Sequence, residues 1–402
     1  MKLNLVCIVC LYHKIMIIKY PRSIFISHHM KKIMNIVYLT ALATLIGSFV
    51  MVMYLIPKIK YIVERRNLID HPDKRSSHKN LTPTMAGVAF FLTLIFALNL
   101  LDTWDVDGVG INLIAALTII FALGLKDDLI ISTPKAKIGG EILAISFIMF
   151  CNCMQITSLD GFLGINEISP LVSYVLITLM ILTIVNSYNL IDGIDGLAST
   201  IGIVIFSTFG FIFFIAGLHF YFIFCLCLVG MQVAYLRYNL SKTKKIFMGD
   251  TGSLTIGFCI GFLSLKFLSL DALELSALSF IPENKLFVIV SILFIPLFDT
   301  LRVIGVRLMN KKGPFTPDKN HIHHVLIDSG LSHVKASVFL GFLSLGLSVF
   351  FISLSLYIKS FQMLVVLAIS FLLLLTVFDR LKNNVRTENR FKYLVRAIHF
   401  LF

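Results

Sequence analysis

The sequence predicts an all-α, polytopic integral membrane protein, and three observations carry that reading. Of its 402 residues 57% are hydrophobic and 14% charged, where a soluble chain carries about 25% charged residues. Apolar runs close to the ~20 residues that span a bilayer recur along nearly the whole length. The charges are sorted by loop rather than scattered. Spans are expected at 35–57, 84–101, 110–125, 139–157, 169–186, 197–217, 219–236, 251–270, 285–305, 335–357 and 361–379. That makes about eleven transmembrane helices in one membrane domain, residues 34–380, between an extension at 1–33 and a tail at 381–402.

With that many spans, alternate connections fall on alternate sides. One set holds Lys58 to Pro83, Lys126 to Lys137, 186–198, Arg237 to Asp250, Arg302 to Lys335 and the tail, and apart from 186–198 it is rich in Lys and Arg. The other holds Asp102 to Asp107, Asp160 to Glu167 and Asp271 to Glu283, with almost no base. The positive-inside rule makes the first set cytoplasmic. The net charge of +13 is therefore chiefly a topology signal, and no nucleic-acid partner is expected. The seven cysteines give no disulfide framework. Most lie in spans, where Cys acts as a small hydrophobe, and Cys7 and Cys10 have no second pair to complete a zinc site.

In chain order, residues 1–33 fit the topology poorly, because they carry Lys2, Lys14, Lys19, Arg22, Lys31 and Lys32 on what should be the outer side. An interfacial segment or a translation start at Met30 or Met34 would explain this, and the later start fits better than a cleaved signal. After the first span, the loop from Ile69 to Lys79 mixes Arg75 and other bases with hydroxyls and two His. That suits an anionic ligand, though a solvated juxtamembrane loop would read the same way. The third span ends in Lys126-Asp127-Asp128, with Lys135 and Lys137 close behind. Adjacent acids at a helix C-terminal end are disfavoured, so a cation or phosphate nearby is expected.

The stretch Asn186-Ser187-Tyr188-Asn189-Leu190-Ile191-Asp192-Gly193-Ile194-Asp195-Gly196 follows an uncharged run from Leu171. Its amides and acids recur every three residues, and on a straight helix such a row drifts by about 60° per step. All four groups could not aim at one point, so the helix is expected to end near Gly193 and Gly196 and open into a polar site. A capped terminus with an ordinary turn is the plainer alternative. The next cytoplasmic connection brings Phe247-Met248-Gly249-Asp250-Thr251-Gly252-Ser253, a glycine-flanked acid at a helix start, where backbone N–H groups bind anions unless Asp250 is simply an N-cap. After Asp299 and Arg302 comes Pro317-Asp318-Lys319-Asn320-His321-Ile322-His323-His324. Three His so close to acids on one face point to a site, and oxygen-rich surroundings suit Mg²⁺ better than Zn²⁺. The tail from Arg380 alternates bases with aromatic and aliphatic residues as an amphipathic surface helix does.

Every one of these clusters falls on the predicted cytoplasmic face, while the spans are nearly bare of charge apart from Lys266. A channel or carrier would instead hold ionisable groups near the bilayer midplane, so the pattern favours an enzyme working at the membrane surface on a soluble anionic substrate and a lipid one. The intact acid set argues against a catalytically silent scaffold. Asp127-Asp128, the run Asn186 to Ala198, Gly249 to Leu254 and His321-Ile322-His323-His324 together resemble the cytoplasmic signatures of the polyprenyl-phosphate N-acetylhexosamine-1-phosphate transferases. The His-x-His-His form is similar to the branch using UDP-N-acetylglucosamine. Ala86 departs from the glycine usual before Gly87 and leaves open how closely that helix start approaches a ligand.

The resemblance implies transfer of a sugar 1-phosphate from a UDP-sugar to polyprenyl phosphate, with release of UMP, at the cytoplasmic membrane. It implies Mg²⁺, with Mn²⁺ as a substitute, and is compatible with a homodimer. By the same resemblance Asp250 is the Mg²⁺ ligand, with Asp192 beside it or on the nucleotide. Asp127 or Asp128 orients the lipid phosphate or takes its proton. Lys137 and Arg75 are candidates for the lipid phosphate, Asn186 is a substrate contact, Asn189 and Asp195 face the uridine, and Phe247 stacks on uracil. His321, His323 and His324 grip the diphosphate or sugar.

Overall fold

The computed structural model describes residues 24–66, 69–70, 82–130, 132–271, 274–275, 277–311, 313 and 320–386. Thirteen helices are named here in chain order: α1 (Ile24–Arg65), α2 (Gly87–Leu100), α3 (Gly110–Leu129), α4 (Pro134–Met149), α5 (Pro170–Ile191), α6 (Leu197–Ile215), α7 (His219–Asn239), α8 (Gly249–Leu268), α9 (Lys285–Ile292), α10 (Phe294–Met309), α11 (Ile322–Asp328), α12 (His333–Leu354) and α13 (Ser360–Arg386). Two short antiparallel pairs accompany them, β1 (Ile69–Asp70) with β2 (Thr82–Pro83), and β3 (Ser158–Phe162) with β4 (Ile165–Glu167).

Among the described residues, eight helices are long and apolar enough to cross a bilayer: α1 from Met34, α3, α5, α6, α7, α8, α12 and α13. Pro282–Ile292 and Phe294–Met309, bent by 73°, make a ninth if taken as one span. The other two expected spans are helical but short. Helix α2 has 14 residues and α4 has 16, about 21 and 24 Å at 1.5 Å per residue, against a hydrocarbon core of about 30 Å. The all-α membrane architecture stands, with fewer full-length spans than the eleven expected. Local chemistry explains where several helices start. Thr133, Ser169 and Ser332 each accept a hydrogen bond from a first-turn N–H, and Pro134 and Pro170 follow the first two. These are N-caps with proline at the first helical position, and Thr133 starts α4 ahead of the apolar run expected at 139–157.

Helix α8 is the axis of the fold, with its whole apolar window buried. Its first turn is held by close backbone approach. A Cβ on Gly87 would sit 2.1 Å from the Gly252 nitrogen, and one on Gly124 would sit 2.6 Å from the Thr251 Cα. Only glycine lets α2 and α3 come so near, and that approach sets the α8 start against the end of α3. The Gly87 segment is stitched on by backbone bonds: Ala86 and Gly87 N–H donate to the carbonyls of Phe247 and Met248, and Phe247 N–H donates to Pro83.

The two loop sets separate to the two ends of α8. Asp128, Lys137 and Asn189 gather at its Asp250 end. At the other end Lys266, in the last turn, lies 3.5 Å from Asp107 and 3.9 Å from Glu274, while Lys285 pairs with Asp160. Lys266 is thus a charge at the far rim rather than deep in a span.

Candidate active site

Helix α5 ends as its polar row demands. Asn186 and Asn189 lie on the helix, Asp192 is its C-cap, and Gly196 turns into α6 with φ +79°. The drift of the row sends each group to a different neighbour. Asn186 Nδ2 donates to Glu141 at 2.7 Å and to the Leu182 carbonyl at 2.9 Å. Asn189 Nδ2 donates to Asp250 Oδ1 at 2.9 Å and to Ser253 Oγ at 2.7 Å. Asp195 accepts from Lys245 at 2.6 Å and lies 3.2 Å from His333 Nδ1. The Asp192 carboxylate makes no hydrogen bond among the described residues. Burial pushes its pKa up to about 7, and the nearby charges of Asp250, Asp128 and Asp195 add to the shift.

The adjacent acids have separate tasks. Asp128 Oδ1 accepts from the Asp250 N–H at 2.7 Å, and Oδ2 accepts from the Thr251 N–H at 3.0 Å and from its hydroxyl. An acid at the C-terminal end of α3 is thereby an acid at the N-terminal end of α8, which removes the unfavourable dipole that made the pair look anomalous. The expected anion site at Gly249 is occupied by the protein's own Asp128. Asp250 is not an N-cap; its side chain points at the base and amide of neighbouring helices. Lys137 Nζ sits 2.6 Å from Asp250 Oδ2 and 3.3 Å from Asp127 Oδ2, and Asp127 Oδ1 also accepts from the Ser132 N–H at 2.6 Å. Lys137, Asp127, Asp128, Asp250 and Asn189 therefore form one hydrogen-bonded cluster drawn from α3, α4, α5 and α8.

Beside it lie two flanks. On one, Lys245 Nζ stands 5.2 Å from the centre of the half-buried Phe247 ring while holding Asp195. Burial alone would raise the Asp195 pKa, but the contacts with His333 and Lys245 outweigh it and hold the carboxyl below its usual range. On the other flank, Asp299 accepts from the Ile322 N–H at 2.8 Å and meets His321 Nδ1 at 2.8 Å, fixing the start of α11. His323 packs against Gly193, where an added Cβ would lie 2.3 Å from Nε2. Burial drives the His323 pKa down to about 3 despite Asp299, with His324, His321 and His333 adding to the depression. Its ring centre is 4.4 Å from that of His324. His321 is thus an anchored side chain, and His323 is a neutral one that ties α11 to the Asp192 turn.

Arg75 lies outside the described residues. Ala86 is fully buried with its N–H given to Phe247, so its methyl faces protein rather than a ligand. Sequence reasoning assigned no individual role to Thr251, Ser253, Lys245 or Asp299, although they lie in or beside the motifs it named, and it did not single out Glu141 or His333. Two of these left a signal as acids inside expected spans, Glu141 in 139–157 and Asp299 in 285–305, and they correct the view that Lys266 was the main charge among the spans.

The sequence pattern of glycosyl transferase family 4 matches residues 110–268, from α3 to the end of α8. A probable undecaprenyl-phosphate N-acetylglucosaminyl 1-phosphate transferase of Bacillus subtilis is 30% identical over 292 residues, covering 72% of this chain and 77% of that protein. The chain belongs to glycosyl transferase family 4. The undecaprenyl-phosphate alpha-N-acetylglucosaminyl 1-phosphate transferases of Escherichia coli O157:H7 and Salmonella typhi are each 27% identical over 305 residues, covering 75% of this chain and 80% of theirs. The family match spans Asp127 through Asp250 and so contains the whole hydrogen-bonded cluster, while the His segment of α11 lies beyond it.

Proposed function

We propose that this membrane enzyme transfers N-acetylglucosamine 1-phosphate, or a closely related N-acetylhexosamine 1-phosphate, from its UDP-sugar to undecaprenyl phosphate at the cytoplasmic face, starting a cell-envelope polysaccharide. The observation that carries this is the meeting of Lys137, Asp127, Asp250 and Asn189 at one end of α8, in a chain related to enzymes of that name. A lipid phosphate oxygen attacks the β-phosphorus of the UDP-sugar. The new P–O bond forms as the bond to the bridging oxygen breaks, and UMP leaves with that oxygen and its electron pair.

Mg²⁺ fits this donor set as an ion shared with substrate. No group of three or more His, Cys, Asp or Glu among the described residues is arranged to enclose a metal. Mg²⁺ is commonly held by one or two carboxylates plus substrate phosphates, and the unpartnered carboxylate of Asp192 beside Asp250 supplies that minimum. When bound, the ion would neutralise the diphosphate and the departing UMP. Lys137 balances charge between Asp127 and Asp250 and supplies a positive group for phosphate oxygens, and Asn189 fixes the Asp250 carboxylate. Asp127 keeps the Lys137 ammonium in place. Asp128 shapes the site through the α8 start, since its oxygens are committed there. Phe247 offers a ring for uracil beside Asp195.

The test is UMP release by the purified full chain with a short-chain polyprenyl phosphate and a panel of UDP-sugars, with and without Mg²⁺. UMP should appear only with Mg²⁺ and an N-acetylhexosamine donor, and Asp250→Asn should lower turnover by on the order of 10³-fold while the protein stays folded. Movement of lipid or sugar phosphate across vesicles with no UMP would replace this reading with that of a carrier.

A further inference from the structure

Helix α4 carries an acid, Glu141, one helical turn deeper in the membrane than Lys137. Its side chain is fully buried. Oε2 accepts from Asn186 Nδ2 at 2.7 Å, and Oε1 is buried with no hydrogen-bond partner. An ionised carboxylate with one oxygen stranded among apolar atoms is strongly disfavoured, and a neutral carboxyl much less so. The neighbourhood sharpens the argument. The Lys137 ammonium one turn away would favour a negative charge here, but it is already shared by Asp127 and Asp250, and Asp250 itself repels a further anion, so burial decides.

Residues four apart on α4, and three apart on α5, lie on one helix face. Lys137 and Glu141 therefore share one face of α4, which meets α8 through Lys137 and α5 through Glu141, while α5 meets α8 through Asn189 and α4 through Asn186. The contacts form two rungs. In the upper one Lys137 and Asn189 reach the two oxygens of Asp250 from opposite sides. In the lower one Glu141 holds Asn186, whose second amide hydrogen goes to Leu182. The lower rung thus fixes the rotation and height of α4 against α5, on which the upper rung depends.

We propose that Glu141 is a positioning residue for the transfer reaction, a neutral acid that locks α4 to α5 through Asn186 and so sets Lys137 and Asn189 on Asp250. The proposal rests on the transferase reading above. A glutamine is neutral, has the same length and keeps an oxygen for Asn186, whereas a leucine keeps bulk and loses the acceptor.

The experiment compares purified wild type, Glu141→Gln and Glu141→Leu in the UMP-release assay and by infrared difference spectroscopy. Glu141→Gln should stay within about threefold of wild-type kcat, and Glu141→Leu should lose on the order of 10²-fold in kcat with KM for the UDP-sugar little changed, the size expected when catalytic groups are misplaced by about an ångström. The wild-type minus Glu141→Gln spectrum should contain the C=O stretch of a protonated carboxyl. Carboxylate bands in its place, or a Glu141→Gln loss as large as 10²-fold, would overturn the proposal, and both readings stand even if Glu141→Leu fails to fold. Full kcat in a folded Glu141→Leu would overturn it as well. A wild type that releases no UMP would defeat the transferase reading instead, and the infrared band would still report the state of Glu141.

Discussion

The two ends of α8 each bury a cluster of charges, yet they are built on opposite terms. At the Lys266 end the groups close on one another. Lys266 lies between Asp107 and Glu274, Tyr221 donates its hydroxyl to Asp107 at 3.1 Å, and Lys285 pairs with Asp160 while donating to the carbonyls of Leu268 and Leu270. At the Asp250 end, Asp127, Asp128, Asp192 and Asp250 meet one base, Lys137, and Asp192 is left without a hydrogen bond among the described residues. The far cluster is complete by itself and acts as a latch between helices. The near cluster is short of positive charge, and in the proposed function that charge would come with the substrate. An excess of one sign at a buried helix end, more than the presence of charge, separates a site from a latch.

Removing the lysine at each end tests that contrast. Lys137→Met should lower UMP release by on the order of 10³-fold, because it takes the one ammonium from both Asp127 and Asp250. Lys266→Met should leave kcat within about threefold and instead lower stability by about 1–3 kcal/mol, between the values for an exposed and a fully buried pair because Asp107 and Glu274 keep contact with solvent. Chemical denaturation and UMP release on the same preparations would measure both. Equal losses of activity would show that the two ends are not distinct in kind.

The contrast also explains what could be read from the sequence. The run from Asn186 to Asp195 stood out because polar groups interrupt an apolar helix at regular spacing, and that spacing does end α5 and fan its groups toward three neighbours. The His segment stood out for a different reason, three His within four residues after a polar loop. Periodicity, however, says which residues share a face and nothing about what that face meets. The cap that Asp128 places on Asp250 joins residues 122 positions apart, and Asp299 gives no local hint that it anchors His321. Glu141 was visible only as one acid in a long apolar run, and its meaning depends on Asn186 from another helix. The expected anion site at the α8 start was sound local chemistry, but its anion came from inside the protein.

A smaller effect separates the flank of the near cluster from its centre. The pKa of His323 falls from 6.5 to about 3 in the folded chain, chiefly through burial. Between those values the unfolded chain binds a proton that the folded chain does not, so stability is fully present above pH 6.5 and is lost as pH falls toward 3. Going from pH 7 to pH 5 should cost about 2 kcal/mol through this one residue. Melting of wild type and His323→Gln across that range would show it: the variant should have the shallower pH slope, whatever its absolute stability. Parallel slopes would mean that His323 is hydrated and charged, and that the flank is as open to solvent as the Asp192 turn.

Ala86 is predicted to give the smallest effect of all, and it bears on where the site stops. Its methyl is buried against protein, and its N–H is spent on the Phe247 carbonyl, so the position touches the site only through the backbone it shares with Gly87. Ala86→Gly should lower stability by about 0.5–1 kcal/mol through lost burial and added chain entropy, with KM for both substrates unchanged in the UMP-release assay. A KM for the UDP-sugar that moved severalfold would place a ligand against the start of α2. The boundary of the near cluster would then have to be drawn wider than the ring of Asp128, Lys137, Asn189 and Asp250.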